Sequence, residues 1–278
     1  MKSSKKEEIL IDKRKRRIPV CSWLPAKSES QLVIVHGFSE HMWYYQTVAK
    51  QLSETGMAVH MMDLPGHGMA EGIRGHIDRF GEYLDNLEML TSENPHYLKT
   101  KPTFLLGHSL GGLIAAHYCL RRKHSFKGLI LTSPLAGLHK PGSLPVYLLA
   151  RLMAKNHRNE PYPKPIGVRA LSRNPEQWPI YYSDPCRGRL ITPNLFLLMN
   201  TMSKRLQDYA PHLHIPLLMF ITDKDRVVSP DAGRKFFRKV GSEDKSLVVF
   251  SDAMHELFQE EECAQILDIM QGWIGERI

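Results

Sequence analysis

Among the 278 residues, no apolar run approaches the ~18–20 positions that a membrane span needs. The opening stretch, Met1-Lys-Ser-Ser-Lys-Lys-Glu-Glu, lacks the apolar core of a secretory signal. A cytoplasmic chain, at most peripherally associated with a membrane, is expected. Cysteine is scarce: Cys21, Cys119, Cys186 and Cys263 lie far apart with no C-x-x-C spacing. That argues against a disulfide framework and for free thiols in a reducing compartment. His212 and His214 have no further ligand pattern around them, so no metal site is expected. No helix-turn-helix, finger or RNA-binding signature is present, which argues against a nucleic-acid partner. No internal repeat is found.

Acidic residues are scarce in one region. Residues 139–205 carry eleven Lys/Arg against three Asp/Glu, a local charge of +8 that equals the net charge of the whole chain. Residues 1–17 carry eight against three, including the run Lys13-Arg-Lys-Arg-Arg17, and read as a basic, weakly held N-terminal segment. The remainder is mildly acidic. Localised positive charge attracts anionic lipid surfaces or acidic ligands, though it also suits a solvated face with no partner.

What is present in abundance is alternation. Apolar runs at Gln31–Val35, Ala58–Met62, Thr103–Leu106, Gly128–Thr132, Leu217–Thr222 and Leu247–Phe250 have the length and continuity of strands buried on both faces. Helical patterns lie between and after them at Tyr44–Glu54, Phe80–Glu93, Leu110–Arg121, Val227–Val240 and Glu260–Glu276. Such alternation predicts an α/β fold, a mostly parallel central sheet flanked by helices. It breaks between Thr132 and Leu217. A structureless loop of that length is unusual, and Leu144–Asn156 is an apolar helical candidate, so residues 134–206 read as an inserted helical cap. The core is then 18–133 together with 207–278.

Gly107-His-Ser-Leu-Gly111 matches G-x-S-x-G, with a strand before it and a helix after it. A nucleophile on so tight a turn needs small neighbours two residues to either side, because backbones approach closely there. A serine needs a base, and the base an orienting carboxylate, in the chain order Ser, acid, His for this type of turn. The strand Leu217–Thr222 runs into Asp223-Lys-Asp225, and Asp225 is preferred to Asp223 as the acid. Leu247–Phe250 runs into Ser251-Asp-Ala-Met-His255, which makes His255 the base. Oxyanion donors are expected from the backbone N–H groups of Leu110, after the nucleophile, and Phe38, after His36-Gly37.

With these residues in place, the chain resembles the monoacylglycerol lipase and lysophospholipase branch of the α/β-hydrolases. His36-Gly-Phe-Ser-Glu-His41 is similar to that branch's oxyanion loop. Asp63-Leu-Pro-Gly-His-Gly68, continued by Glu71-Gly-Ile-Arg-Gly-His76, is similar to its loop after the next strand. Gly107-His-Ser-Leu-Gly-Gly112 is similar to its nucleophile elbow, and Tyr182-Ser-Asp-Pro185 matches a further stretch. The likeness spans nearly all of residues 30–275. It implies a serine hydrolase with a lid over an acyl pocket and no cofactor. Two positions depart from the pattern: Thr222 stands where the acid loop usually has Gly, and Asp252 where the histidine loop often has Gly.

Leu144–Met153, including Leu148 and Leu152, together with Pro145, Tyr147 and Trp178, are expected either to line an acyl channel or to pack the lid on the body. A basic cap suits a lipid bearing phosphate, or an anionic membrane, better than the cationic amino terminus of a peptide. Monoacylglycerol or lysophospholipid esters are therefore the expected substrates. Short-chain carboxylesters and thioesters are the alternative, and a non-catalytic binding protein is the reading from a different class.

Overall fold

The computed structural model describes residues 3–139, 144–164 and 166–278. In chain order it places β1 at Ser4–Ile11, β2 at Arg17–Leu24, β3 at Ser30–Val35, α1 at Gln46–Glu54 and β4 at Met57–Met62. There follow α2 at Gly81–Glu93, β5 at Thr103–His108, α3 at Leu110–Arg121 and β6 at Gly128–Thr132. Between β6 and the next core strand lie α4 at Leu144–Asn156, β7 at Tyr162–Pro163, α5 at Val168–Leu171, α6 at Gln177–Ser183, β8 at Leu190–Ile191 and α7 at Pro193–Tyr209. The chain closes with β9 at Leu217–Thr222, α8 at Pro230–Lys239, β10 at Lys245–Phe250 and α9 at Cys263–Gly275. Among the described residues no helix is long and apolar enough to cross a membrane.

The main sheet has the order β1-β2-β4-β3-β5-β6-β9-β10. The pairs β1–β2 and β2–β4 are antiparallel and every other pair is parallel. Successive side chains of a strand point to opposite faces, and here each face has its own core. Val33, Val35, Leu105, Leu129, Leu131, Met219 and Ile221 pack under α2, α3, α7 and α8. Their neighbours Leu32, Ile34, Leu106, Ile130, Leu218 and Phe220 pack under α1 and α9. Each fully buried side chain of this size contributes about 1.5–3 kcal/mol, so burial on both faces explains why unbroken apolar runs form these strands.

The N-terminal segment corrects an expectation. Residues 4–11 are not weakly held; they form an edge strand paired along its whole length, from Ser4 opposite Leu24 to Ile11 opposite Arg17. Its Lys5, Lys6 and Glu7 are exposed and charged, which is how an edge strand avoids pairing with other chains. The connecting turn is held by Asp12. Its buried carboxylate accepts the N–H of Arg14 at 2.8 Å, that of Arg16 at 2.9 Å and the Arg16 Nε–H at 2.7 Å. Asp12→Ala leaves these donors without their acceptor and is expected to lower unfolding stability by about 1–3 kcal/mol. The check is a lowered urea midpoint with an unchanged slope; an unchanged midpoint removes Asp12 from the role.

Candidate active site

The nucleophile elbow is built by steric necessity. Ser109 sits between β5 and α3 at φ 52° and ψ −116°, a region that costs a non-glycine residue about 1–3 kcal/mol. A Cβ on Gly111 would collide with the carbonyls of Val35 and His36 at the end of β3, and one on Gly107 with the backbone of Gly111 and Gly112. Glycine at these two positions lets α3 seat against the sheet. The start of α3, with its favourable dipole end, lies directly behind the serine.

The C-terminal ends of β5, β9 and β10 bring three predicted residues together. His255 Nε2 lies 2.9 Å from Ser109 Oγ, and His255 Nδ1 lies 2.7 Å from Asp225 Oδ2. All three side chains are buried. Asp225 Oδ1 accepts the N–H groups of Val227 and Val228 at 2.8 and 2.9 Å. Burial alone raises the Asp225 pKa; the adjoining His255 and these N–H donors outweigh it and hold the carboxylate below its usual range. Asp223 is exposed and pairs with Arg234 on α8 instead.

The loop after β3 carries Phe38. His36 Nδ1 donates to the Gly37 carbonyl at 2.8 Å, and its Nε2 accepts the Leu64 N–H at 2.9 Å. Burial pushes the His36 pKa down to about 4, consistent with that neutral tautomer. Asp63 fastens the same loop from the end of β4, accepting from Met42 N–H at 2.9 Å and Met69 N–H at 2.7 Å. Glu40 accepts from the Gly37 N–H at 2.8 Å and from the Tyr45 hydroxyl at 2.7 Å. The Gly37–Phe38 segment is thus held from both sides. Among the described residues, neither the Phe38 N–H nor the Leu110 N–H donates to a protein acceptor.

Around the triad lies a buried acid–base cluster that motif spacing did not single out. His108 and His255 have ring centroids 4.8 Å apart, and His108 Nε2 lies 3.3 Å from Glu40 Oε1, an ion-pair distance without hydrogen-bond alignment. Burial opposes charge on both partners, but their attraction prevails, raising the His108 pKa and holding Glu40 well below the carboxylate range. Glu256, next to the base, is pushed up to about 8 by burial first and by the Glu40 charge second. It accepts from the Tyr181 hydroxyl of α6, and its own N–H donates to Leu171 of α5 at 2.8 Å. Glu40 and Glu256 stood beside recognised residues in the sequence; their burial was the missing signal.

Ser109 and His255 open onto a cavity of ≈ 320 Å³. Leu135, Ile166, Leu171, Phe196, Met199 and Val228 are among its apolar walls. The expected acyl-channel residues are not. Leu148 and Leu152 are 52% and 64% exposed, because α4 turns this stripe of its surface to solvent. Trp178 stands outside the lining, packing against Val168, Leu171 and Tyr181 while its Nε1–H donates to the Ser172 carbonyl at 3.0 Å. Tyr147 also stands outside the lining and lies under Lys204 of α7, and the side chain of Pro145 falls outside the described residues. The cavity is instead lined from α7, whose Phe196 and Met199 sit three residues apart, a helical spacing visible in the sequence.

Comparison with known proteins agrees with this geometry. A family model described as serine aminopeptidase, S33, matches residues 26–262. The chain is 31% identical over 264 residues to a monoacylglycerol lipase of Mycolicibacterium smegmatis, covering 93% of this chain and 92% of that one. It is also 31% identical over 265 residues to the human monoglyceride lipase, covering 92% and 86% of the two chains. The crystal structure of Paleococcus ferrophilus monoacylglycerol lipase shares the fold with a TM-score of 0.84 at 24% identity, covering 98% of this chain and 100% of that one. The elbow, the order Ser109, Asp225, His255 and the match over most of its length mean that the chain belongs to the serine aminopeptidase S33 family of α/β-hydrolases.

Proposed function

We propose that this serine hydrolase cleaves carboxylic esters of monoacyl lipids, of the monoacylglycerol or lysophospholipid kind, with Ser109, His255 and Asp225 as its triad. The observation that carries the reading is the Ser109–His255–Asp225 relay opening onto an apolar-walled cavity. Ser109 Oγ bonds to the ester carbonyl carbon as its proton passes to His255 Nε2. Asp225 holds the tautomer and stabilises the imidazolium. The N–H groups of Phe38 and Leu110 hold the oxyanion, each worth about 3 kcal/mol to the transition state. The ester bond breaks and the alcohol departs with the proton from His255. Water then attacks the acyl-enzyme, gives its proton to His255 and releases the fatty acid, and Ser109 regains its hydrogen.

The family description invites a peptide substrate, and the cavity argues against one. A free amino terminus needs an available carboxylate. Both carboxyl groups in the lining, Glu40 and Glu256, are buried and already bonded to protein partners, while the exposed charges there are Lys164 and Arg226.

On this reading, residues 134–206 form the cap, the core is 18–133 with 207–278, and 1–17 is a basic edge segment. The exposed Leu148, Leu149 and Leu152 beside Arg151 and Lys155 then serve as a peripheral contact with anionic membranes. Replacing the three leucines with Ser is expected to reduce sedimentation with anionic vesicles. Unchanged binding refutes that contact.

Ser109→Ala and His255→Ala are each expected to abolish turnover of long-chain monoacylglycerol, and the double variant to be little worse than either, because the triad acts as a unit. Substantial turnover by purified Ser109→Ala overturns the assignment. A rate that collapses beyond short acyl chains turns the enzyme into a general carboxylesterase.

The carboxyl group beside the base also has a stability signature. Unfolded, Glu256 ionises near 4.5; folded, it keeps its proton to about 8. Between these values the native state binds the extra proton, so this group makes stability fall as pH rises and has no further effect above about 8. Glu256→Gln is expected to flatten the decline in denaturation midpoint across that window. A variant as pH-dependent as its parent shows that Glu256 is ionised in the fold.

A further inference from the structure

The two exposed cations in the cavity lining have no side-chain partner among the described residues, and they come from different segments of the chain. Lys164 follows β7, between β6 and β9; Arg226 follows Asp225, in the loop between β9 and α8. Their near neighbours Ile166 and Val227 both pack against the cluster of Val168, Leu171 and Tyr181. The two cations are therefore carried by segments that meet at one place.

Among the described residues neither side chain forms a hydrogen bond or ion pair, in contrast to the charges around them. Asp223 and Asp225, on the same loop as Arg226, are committed to Arg234 and His255, and Asp252 of the histidine loop to Lys224; Asp231 on α8 lies outside the cavity lining. Near Lys164, Glu160 is taken by His157 and Tyr162. Basic neighbours are anchored too. Arg158 reaches the Asp78 carbonyl at 2.9 Å, Arg187 the Ile166 carbonyl at 3.0 Å, and Arg189 the Tyr182 carbonyl at 2.7 Å. The carboxyl groups of the lining are buried and turned to protein partners. The solvent-facing charge of this otherwise apolar cavity is positive.

We infer that Lys164 and Arg226 form a subsite for the phosphate of a monoacyl phospholipid whose head group is net anionic, and that this selects such a lipid over an uncharged monoacylglycerol. The inference rests on the lipid-ester reading above. An acyl chain gains by burial against the apolar walls, whereas a phosphate keeps its hydration only at the exposed rim, where both cations stand. A guanidinium pairs with two phosphate oxygens and an ammonium supplies a point charge, so the pair matches a tetrahedral anion. An uncharged glycerol would leave both cations unused.

The test compares octanoyl lysophosphatidylglycerol with octanoyl monoacylglycerol, both kept monomeric, on the full chain. The readout is the ratio of their kcat/KM values. That ratio should favour the anionic lipid in the parent and fall about tenfold in Lys164→Ala/Arg226→Ala, while Lys164→Arg/Arg226→Lys restores it. A ratio near one in the parent, or one unaltered by the double substitution, overturns the subsite. So does a preference that appears only when the substrates are presented in anionic vesicles, which would assign the cations to the interface. Failure of the parent to cleave either lipid would refute the lipid-ester reading itself. Monoacylglycerol turnover without anionic preference would refute the subsite alone.

Discussion

Gly111 brings the first turn of α3 against the carbonyls of Val35 and His36, where no side chain fits. The rest of the site follows from that approach. It sets the tight turn at Ser109, whose φ of 52° projects the hydroxyl out of the sheet toward His255. It also brings the start of α3 beside the loop that follows β3, so that Leu110 and Phe38 belong to one neighbourhood although 72 positions separate them. Close approach of backbones is exact in a way that side-chain packing is not, and it does not depend on what the cavity holds.

Electrostatics then divides the cavity in two. Beside the triad, the charged and protonated groups are buried and mutually committed: Glu40 with His108, Asp225 with His255, and a proton-bearing Glu256 with Tyr181. A buried carboxylate close to a second one ionises reluctantly, and keeping Glu256 neutral spares the base a further negative neighbour. At the rim the order is reversed, for Lys164 and Arg226 are exposed and unpaired among the described residues. The free charge of the lining is thus the solvent-facing charge, while the charge beside the triad is neutralised within the protein.

The sheet and the meeting of Ser109, Asp225 and His255 were legible because each rests on local pattern. Strands buried on both faces show as unbroken apolar runs, and β6 and β9 fall at the predicted residues. The triad follows strand ends in a set chain order. Three features were not legible, each for a physical reason. Strand β1 is held by backbone pairing with β2 and by the Asp12 turn rather than by an apolar run, so its Lys and Glu residues read as a loose basic tail. The apolar stripe of α4 announced a helix, but which way that stripe faces is decided by packing against α7, and Leu148 and Leu152 turn outward. Glu256 is unremarkable as a letter; its meaning comes from burial beside Glu40, which is 216 positions away.

The two departures from the family pattern, Thr222 and Asp252, acquire a common explanation in three dimensions. The Thr222 hydroxyl donates to the Ala253 carbonyl, and the Lys224 N–H donates back to that hydroxyl at 3.3 Å. Lys224 Nζ in turn pairs with Asp252. The acid loop and the histidine loop are thus tied to each other through both Thr222 and Asp252. Glycine supplies conformational freedom at an entropic cost, whereas these side chains supply cross-links that narrow the freedom of both loops. The exposed Lys224–Asp252 pair contributes little by itself, but the Thr222 bond is buried and acts between residues that flank Asp225 and His255. The 2.7 Å Asp225–His255 contact is thus accompanied by a direct link between the two loops that carry these residues, made outside the triad by the Thr222 hydroxyl and the Ala253 carbonyl.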